Sequence, residues 1–240
     1  MTHPLRVFCT LSLAVFVAPI ASAQGGDASV APRRPIGTAG ITAVVTQPLG
    51  QFETYVGTGY GVGLDFAGNV TRSGILQVRV DLGFLQYGKE TKHVCLSETV
   101  GCRVTVDVNT SNDIIVGGIG PQLIAPRGAV RPYATATAGF AYFFTHSSVT
   151  GSNDSAPFAD TQNFDDFVFA WTGGGGVLIT LRGGSRPIFL DVAARYHHNG
   201  QASYLREGSI TDNPDGSITI SPIRIETNFM AYQLGVSFGF

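Results

Sequence analysis

From Met230 to Phe240 every second residue is apolar: Met230, Tyr232, Leu234, Val236, Phe238 and Phe240. Small or polar residues fill the gaps, with Ala231, Gln233, Gly235, Ser237 and Gly239 in between. A period of two places the two sets on opposite faces of a strand. The alternation continues to the final residue, whereas soluble domains usually close on a few loosely held ones.

The same device recurs upstream. In "ILQVRVDLGF", Leu76, Val78, Val80, Leu82 and Phe84 oppose Gln77, Arg79, Asp81 and Gly83. In "IFLDVAARYH", Ile188, Leu190, Val192, Ala194 and Tyr196 oppose Phe189, Asp191, Ala193, Arg195 and His197. In "YVGTGYGVGLDF", Val56, Tyr60, Val62, Leu64 and Phe66 oppose Gly57, Gly59, Gly61, Gly63 and Asp65. Period and turn residues together predict about eight strands, near 37–47, 54–67, 73–88, 104–123, 131–146, 166–181, 187–199 and 225–240.

Connections between these strands alternate in length. "AGNVTR", "IAPRGAV" and "RGGSR" are short; "KETKHVCLSETVGCR", "HSSVTGSNDSAPFADTQNFD" and residues 200–224 are long. Around "QPLGQF" the first connection of the second set is also short. Such alternation places all short turns at one end of an up-and-down barrel and the long loops at the other. Pro132 and Pro187 start strands, where a missing N–H is tolerated. The short turns hold Arg72, Arg127, Arg131, Arg182 and Arg186, while the long loops are acidic, with Asp154, Asp160, Asp165, Asp166 and Asp212 among their residues.

Charged residues make up 13% of the chain, about half the ~25% of a soluble domain. With a formal charge of −2 and no basic cluster, nothing here is suited to nucleic acid. "MTHPLRVFCTLSLAVFVAPIASAQGG" has the form of a secretory signal: Arg6, an apolar run from Val7 to Ile20, and the small-x-small site Ala21-Ser22-Ala23. Cleavage near Ala23 is expected, leaving a flexible lead-in over 24–35 and a barrel over 36–240. An N-terminal anchor is the alternative, though the run is short for the ~20 residues of a spanning helix. Removing the signal removes Cys9 and leaves Cys95 and Cys102, expected to pair in an oxidising compartment. A metal site there would need more ligands than His93 adds, so no metal and no cofactor are expected.

Periodicity does not say which face points inward. A soluble carrier barrel of lipocalin type keeps apolar residues inside; a membrane barrel keeps them outside. Arg79, Asp81, Asp191 and Arg195 lie in mid-strand, where a charge on a lipid-facing surface would cost ~2–4 kcal/mol at the bilayer midplane. Inside a narrow barrel they form a polar network instead. Glycine weakens a strand, and the run Gly57, Gly59, Gly61, Gly63 gains a purpose if it leaves interior room for larger neighbours. "GGGG" at 173–176 either does the same or marks a bend.

The terminal face Tyr232, Leu234, Val236, Phe238 and Phe240 resembles the C-terminal signature of bacterial outer-membrane β-barrels. "GIGPQL" followed by "RPYATATAGFAYFF" resembles the middle of small OmpA/OmpX-like barrels. The resemblance implies an all-β, eight-stranded antiparallel transmembrane barrel in the bacterial outer membrane. It implies lipid and lipopolysaccharide as surroundings, the barrel assembly machinery as the reader of the last strand, and a monomer. A structural or surface-interaction role through extracellular loops near 89–103, 147–165 and 200–224 follows from it. Such a narrow barrel leaves no wide aqueous channel.

Two other classes stay open: a soluble secreted carrier of lipocalin type, and a lipid A-modifying outer-membrane hydrolase. "RYHHNGQASY" slightly resembles the His-x-Ser-Asn signature of lipid A deacylases, but Gly200 replaces the nucleophile. "FTHSS" offers His146 and Ser148 at that spacing, with Val149 where Asn is required, and Asp165 or Asp166 to orient His146. The plainer reading makes His146, Ser148, His197 and His198 polar rim residues and the protein no enzyme. "TDNPDGSIT" fails the calcium-loop pattern at Thr211 and reads as a hairpin turn that lets the last strands rise above a membrane. Tyr142, Phe143, Phe144, Phe167, Phe169 and Trp171 are expected to form an interfacial aromatic girdle, with a soluble aromatic core as the alternative.

Overall fold

The computed structural model describes residues 35–95, 105–151, 156–205, 208–213 and 217–240, with the backbone but not the side chains of Asp212 and Ile218. Eight strands close a barrel: β1 (Gly37–Pro48), β2 (Gly59–Asn69), β3 (Leu76–Cys95), β4 (Thr105–Ile124), β5 (Val130–Gly151), β6 (Pro157–Arg182), β7 (Ile188–Asn199) and β12 (Phe229–Gly239). Each pairs antiparallel with its neighbours, and β1 pairs with both β2 and β12, so the ring has no free edge along that seam. Four short strands sit between β7 and β12. β8 (Gln201–Tyr204) pairs with β11 (Ile223–Glu226), and β9 (Ile210–Asp212) pairs with β10 (Ile218–Ile220). The signal and lead-in lie outside the described residues, except for Pro35. Among the described residues no helix is long and apolar enough to cross a membrane.

The barrel is inverted relative to a soluble one. Outward positions carry Ile41, Leu64, Leu82, Phe84, Ile119 and Leu234, each between 43% and 58% exposed. Inward positions carry Asp65, Arg79, Asp191 and Arg195, each at most 3% exposed. A surface so apolar over a charged interior has its favourable solvent in hydrocarbon, since lipid-facing apolar groups and satisfied interior polar groups are both then at low cost.

Glycine makes the narrow interior possible. A Cβ on Gly176 would lie 2.8 Å from the Tyr133 ring, and one on Gly40 would lie 2.6 Å from both an Asp65 carboxylate oxygen and the Ser237 hydroxyl. The run at 173–176 stays within β6.

Several expectations need correcting. The second strand begins at Gly59, because Phe52–Thr54 forms a 3-10 turn. Gly57 is therefore an exposed loop residue, not an inward strand position. Val56 is buried at the barrel mouth rather than on the outer face. Phe143 is fully buried inside, while its neighbours Tyr142 and Phe144 remain outside. Residues 89–95, 147–151 and 157–165 are strand, not loop, because β3 to β6 continue past the others. β7 does not extend into the 200–224 connection; it stops at Asn199, and that connection folds into its own two small sheets.

Candidate functional site

The lumen is filled from its walls. Arg79 Nε donates to Asp81 Oδ1 at 2.6 Å, and Arg195 Nη1 donates to the same oxygen at 2.8 Å. β3 and β7 stand four places apart in a ring of eight, so the Arg195–Asp81 contact spans the full diameter. Arg79 also lies 3.3 Å from Asp65 on β2. Asp191 takes its bond from the Tyr133 hydroxyl at 2.8 Å, and the Arg79 guanidinium sits 5.6 Å from the centre of that Tyr133 ring. Below Arg79, towards the short turns, amide side chains continue the chain. Arg79 Nη1 donates to Gln122 (2.8 Å), Gln122 to Gln77 (2.7 Å), and Gln77 to Asn69 (2.8 Å).

Arg79, Asp81, Asp191 and Arg195 thus share one buried cluster, in which the nearest partner of Asp191 is a phenol. Asp65, Tyr133, Gln77 and Gln122 belong to it as well. Their inward parity was legible; their height in the barrel was not. Cavities of about 30 and 20 Å³ flank Arg195 and His197, each with room for a water or two.

Above this cluster the mouth is closed by aromatics. Phe52, from the 3-10 turn, packs 5.8 Å from Tyr87, 6.5 Å from Phe143 and 5.3 Å from Tyr204, ring centre to ring centre. Three of the four rings are at most 1% exposed, and Tyr87 is 9% exposed. Phe52 and Tyr204 come from connections, so no strand periodicity could have flagged them.

The histidines divide. His197 points into the lumen, where its Nδ1 lies 3.1 Å from Thr172 Oγ1 and its ring stacks on Phe229 at 4.5 Å. His198 is outside against Trp171, 5.2 Å away. Asn199 is buried and donates to the Thr227 carbonyl at 2.7 Å, tying β7 to the start of β12. His146 and Ser148 alternate on the outward face of β5, opposite Ser111 and Asn109. Asp166 points inward and accepts the Ser203 amide at 2.6 Å, while Asp165 lies opposite Phe144. Among the described residues no three His, Cys, Asp or Glu side chains are grouped to hold a metal ion.

An aromatic band crosses the outward faces of β5 and β6 toward the long-loop end of the barrel. Phe140 stacks on Phe167 at 5.2 Å, Tyr142 on Phe144 at 5.5 Å, and Phe169 is 66% exposed. Beyond the band, β3 to β6 rise alone. β2 last pairs with β3 at Gln86, and β7 last pairs with β6 at Ala170. Residues 88–95 and 105–112, with 145–151 and 157–164, form a four-stranded wall; eight residues give roughly 26 Å of strand. Its side chains are cross-linked by Thr91 to Asn109 (2.7 Å), Thr110 with Ser147 (2.9 Å) and Asn163 to Ser147 (2.6 Å). His93 contacts Asp107. Cys95 ends β3, and Cys102 lies outside the described residues.

No family model matches the chain, and no curated protein matches it by sequence. Solved structures resemble it. Neisserial surface protein A has 11% identity over 85% of this chain and 97% of its own, with a TM-score of 0.41. Ail, the attachment invasion locus protein of Yersinia pestis, has 12% identity over 85% and 99%, with a TM-score of 0.41. A major outer membrane protein from Thermus thermophilus has 13% identity over 84% and 99%, with a TM-score of 0.43.

Proposed function

We propose that this chain is an integral, monomeric barrel of the bacterial outer membrane, which displays its β3–β6 wall and its β7–β12 connection outside the cell for a structural or surface-contact role. The observation that carries this reading is a wall raised well above the aromatic band on a barrel whose lumen is filled. A protein built to pass solutes would keep an aqueous path. Here the Arg195–Asp81 contact spans the lumen and an aromatic cluster closes its mouth. What the fold presents is a surface, held rigidly by strand pairing.

In this reading the signal is removed near Ala23, and the face Tyr232, Leu234, Val236, Phe238 and Phe240 is what the assembly machinery engages. Outer-membrane lipid and lipopolysaccharide contact the apolar belt. A Cys95–Cys102 disulfide ties the β3–β4 tip. No catalytic role is assigned to His146 or Ser148: Val149 stands where the deacylase signature requires Asn, and Asp166, one of the two candidate acids, points inward and accepts the Ser203 amide.

The test is done in outer-membrane fractions of an expressing cell. The folded protein is expected to migrate differently on a denaturing gel before and after boiling. In intact cells, cysteine placed at Asp160 in the wall is expected to react with a membrane-impermeant maleimide, and cysteine placed at Arg186 in a short turn is not. A soluble periplasmic product without a heat shift overturns the reading. Labelling at Arg186 but not at Asp160 overturns the orientation.

A further inference from the structure

A cleft of about 520 Å³ lies between the inward face of the wall and the β7–β12 connection. We infer that it binds a small uncharged amphiphile, with its polar head on the floor of the cleft and its hydrocarbon body above. This rests on the reading that the wall stands outside the membrane.

The register of the wall sorts the lining into layers. Thr110 on β4 faces Ser147 on β5, and Ser147 faces Thr161 on β6. Thr110 and Ser147 hydrogen-bond to each other and Asn163 donates to Ser147. Glu90 stands opposite Thr110 in the same layer, so the layer offers hydroxyls, a carboxamide and a carboxylate that is paired with Lys92. One step further from the barrel, Val108 faces Val149. Across the gap the connection contributes Leu205, Ile210 and Ile220. The result is a hydrogen-bonding layer whose carboxylate is paired, below a largely aliphatic layer, which matches a molecule with a hydroxyl-bearing head and an apolar chain.

Charge argues for a neutral ligand. Among the described residues the charged side chains lining the cleft are Glu90 and Lys92, which lie 3.4 Å apart. Their charges cancel, so neither a carboxylate nor an ammonium head finds an uncompensated partner. The volume fits within the ~300–1,000 Å³ of small-molecule sites, which share this pattern of apolar walls with a few placed polar groups. The aromatic cluster of Phe52, Tyr87, Phe143 and Tyr204 shuts the barrel mouth, so the cleft does not lead into the lumen.

The experiment uses the full mature barrel in lipid nanodiscs and a diazirine-tagged glycerol mono-ester as the probe. After irradiation, label is expected on the peptides holding Val149 and Ile210. Unlabelled glycerol monolaurate should compete it away, and laurate should compete poorly. Val149→Asp, and separately Ile220→Asp across the gap, should weaken labelling about tenfold by placing a carboxylate against the chain. Both variants lie above the barrel and should keep the heat shift, which is checked for each. A protein that never acquires the heat shift refutes the membrane-barrel reading and the cleft with it. A heat-shifted barrel refutes the cleft alone if label is spread evenly over lipid-facing peptides such as that of Leu234, or if both aspartates leave the labelling unchanged.

Discussion

Asp81→Ala is the sharpest perturbation of the lumen. One carboxylate oxygen of Asp81 receives Arg79 Nε at 2.6 Å and Arg195 Nη1 at 2.8 Å. The side chains of both arginines are at most 3% exposed, and that of Asp81 is 17% exposed. Without Asp81, Arg79 keeps Asp65 at 3.3 Å, while Arg195 loses its ion-pair partner. Breaking a buried pair from one side costs about 3–5 kcal/mol, because a charge is left uncompensated. Replacing both partners by apolar residues of similar volume is often neutral. Asp81→Leu combined with Arg195→Met should therefore recover most of the loss that Asp81→Ala causes. The assay is urea-dependent refolding into short-chain phosphatidylcholine vesicles, followed by the fluorescence of Trp171, the one tryptophan in the chain, and by the heat-shifted band. A loss under ~1 kcal/mol, the range of an exposed pair, would refute the claim that this contact is desolvated. A double variant no better than the single one would refute the claim that the cost lies in the orphaned charge.

Leu234→Arg, in mid-strand on the outer face, should destabilise the barrel by ~2–4 kcal/mol in the same titration; a neutral effect would mean that this face does not meet hydrocarbon. Gly176→Leu should reduce the yield of heat-shifted protein, because its Cβ would sit 2.5 Å from the Val192 carbonyl oxygen and 2.8 Å from both the Ala193 Cβ and the Tyr133 ring; Tyr133→Ala should not restore it, since the backbone oxygen stays in place. Phe52→Ala should cost about 3–5 kcal/mol as a buried aromatic truncation and should speed proteolysis of the β7–β12 connection, since Tyr204 packs on that ring.

Much of the fold was legible in the sequence. Alternation over Leu76–Phe84, Ile188–Tyr196 and Met230–Phe240 marks strands, because side chains in a strand switch face at each residue whatever lies around them. Turn lengths ordered those strands into hairpins, and inward parity singled out Arg79, Asp81, Asp191 and Arg195. Phe143 shows where that reasoning stops. It sits in an aromatic run that looked like one girdle, yet strand parity turns it inward between two outward rings. The wall was also hidden, because polar residues such as Thr91, Ser147 and Thr161 read as loop; they are strand because β3 to β6 continue to pair with one another there.

The sequence by itself determined the period, the order of the hairpins and the two chemically distinct faces, since each depends on residues a few positions apart. Only the tertiary structure decided which inward groups meet. Arg195 and Asp81 are 114 residues apart and come within hydrogen-bond distance only when the ring closes and the register of every intervening pair sets their heights. Phe52 and Tyr204 likewise reach the mouth through connections whose path no period records. Closure turns eight local alternations into a single interior, and the contacts across it depend on all eight registers together.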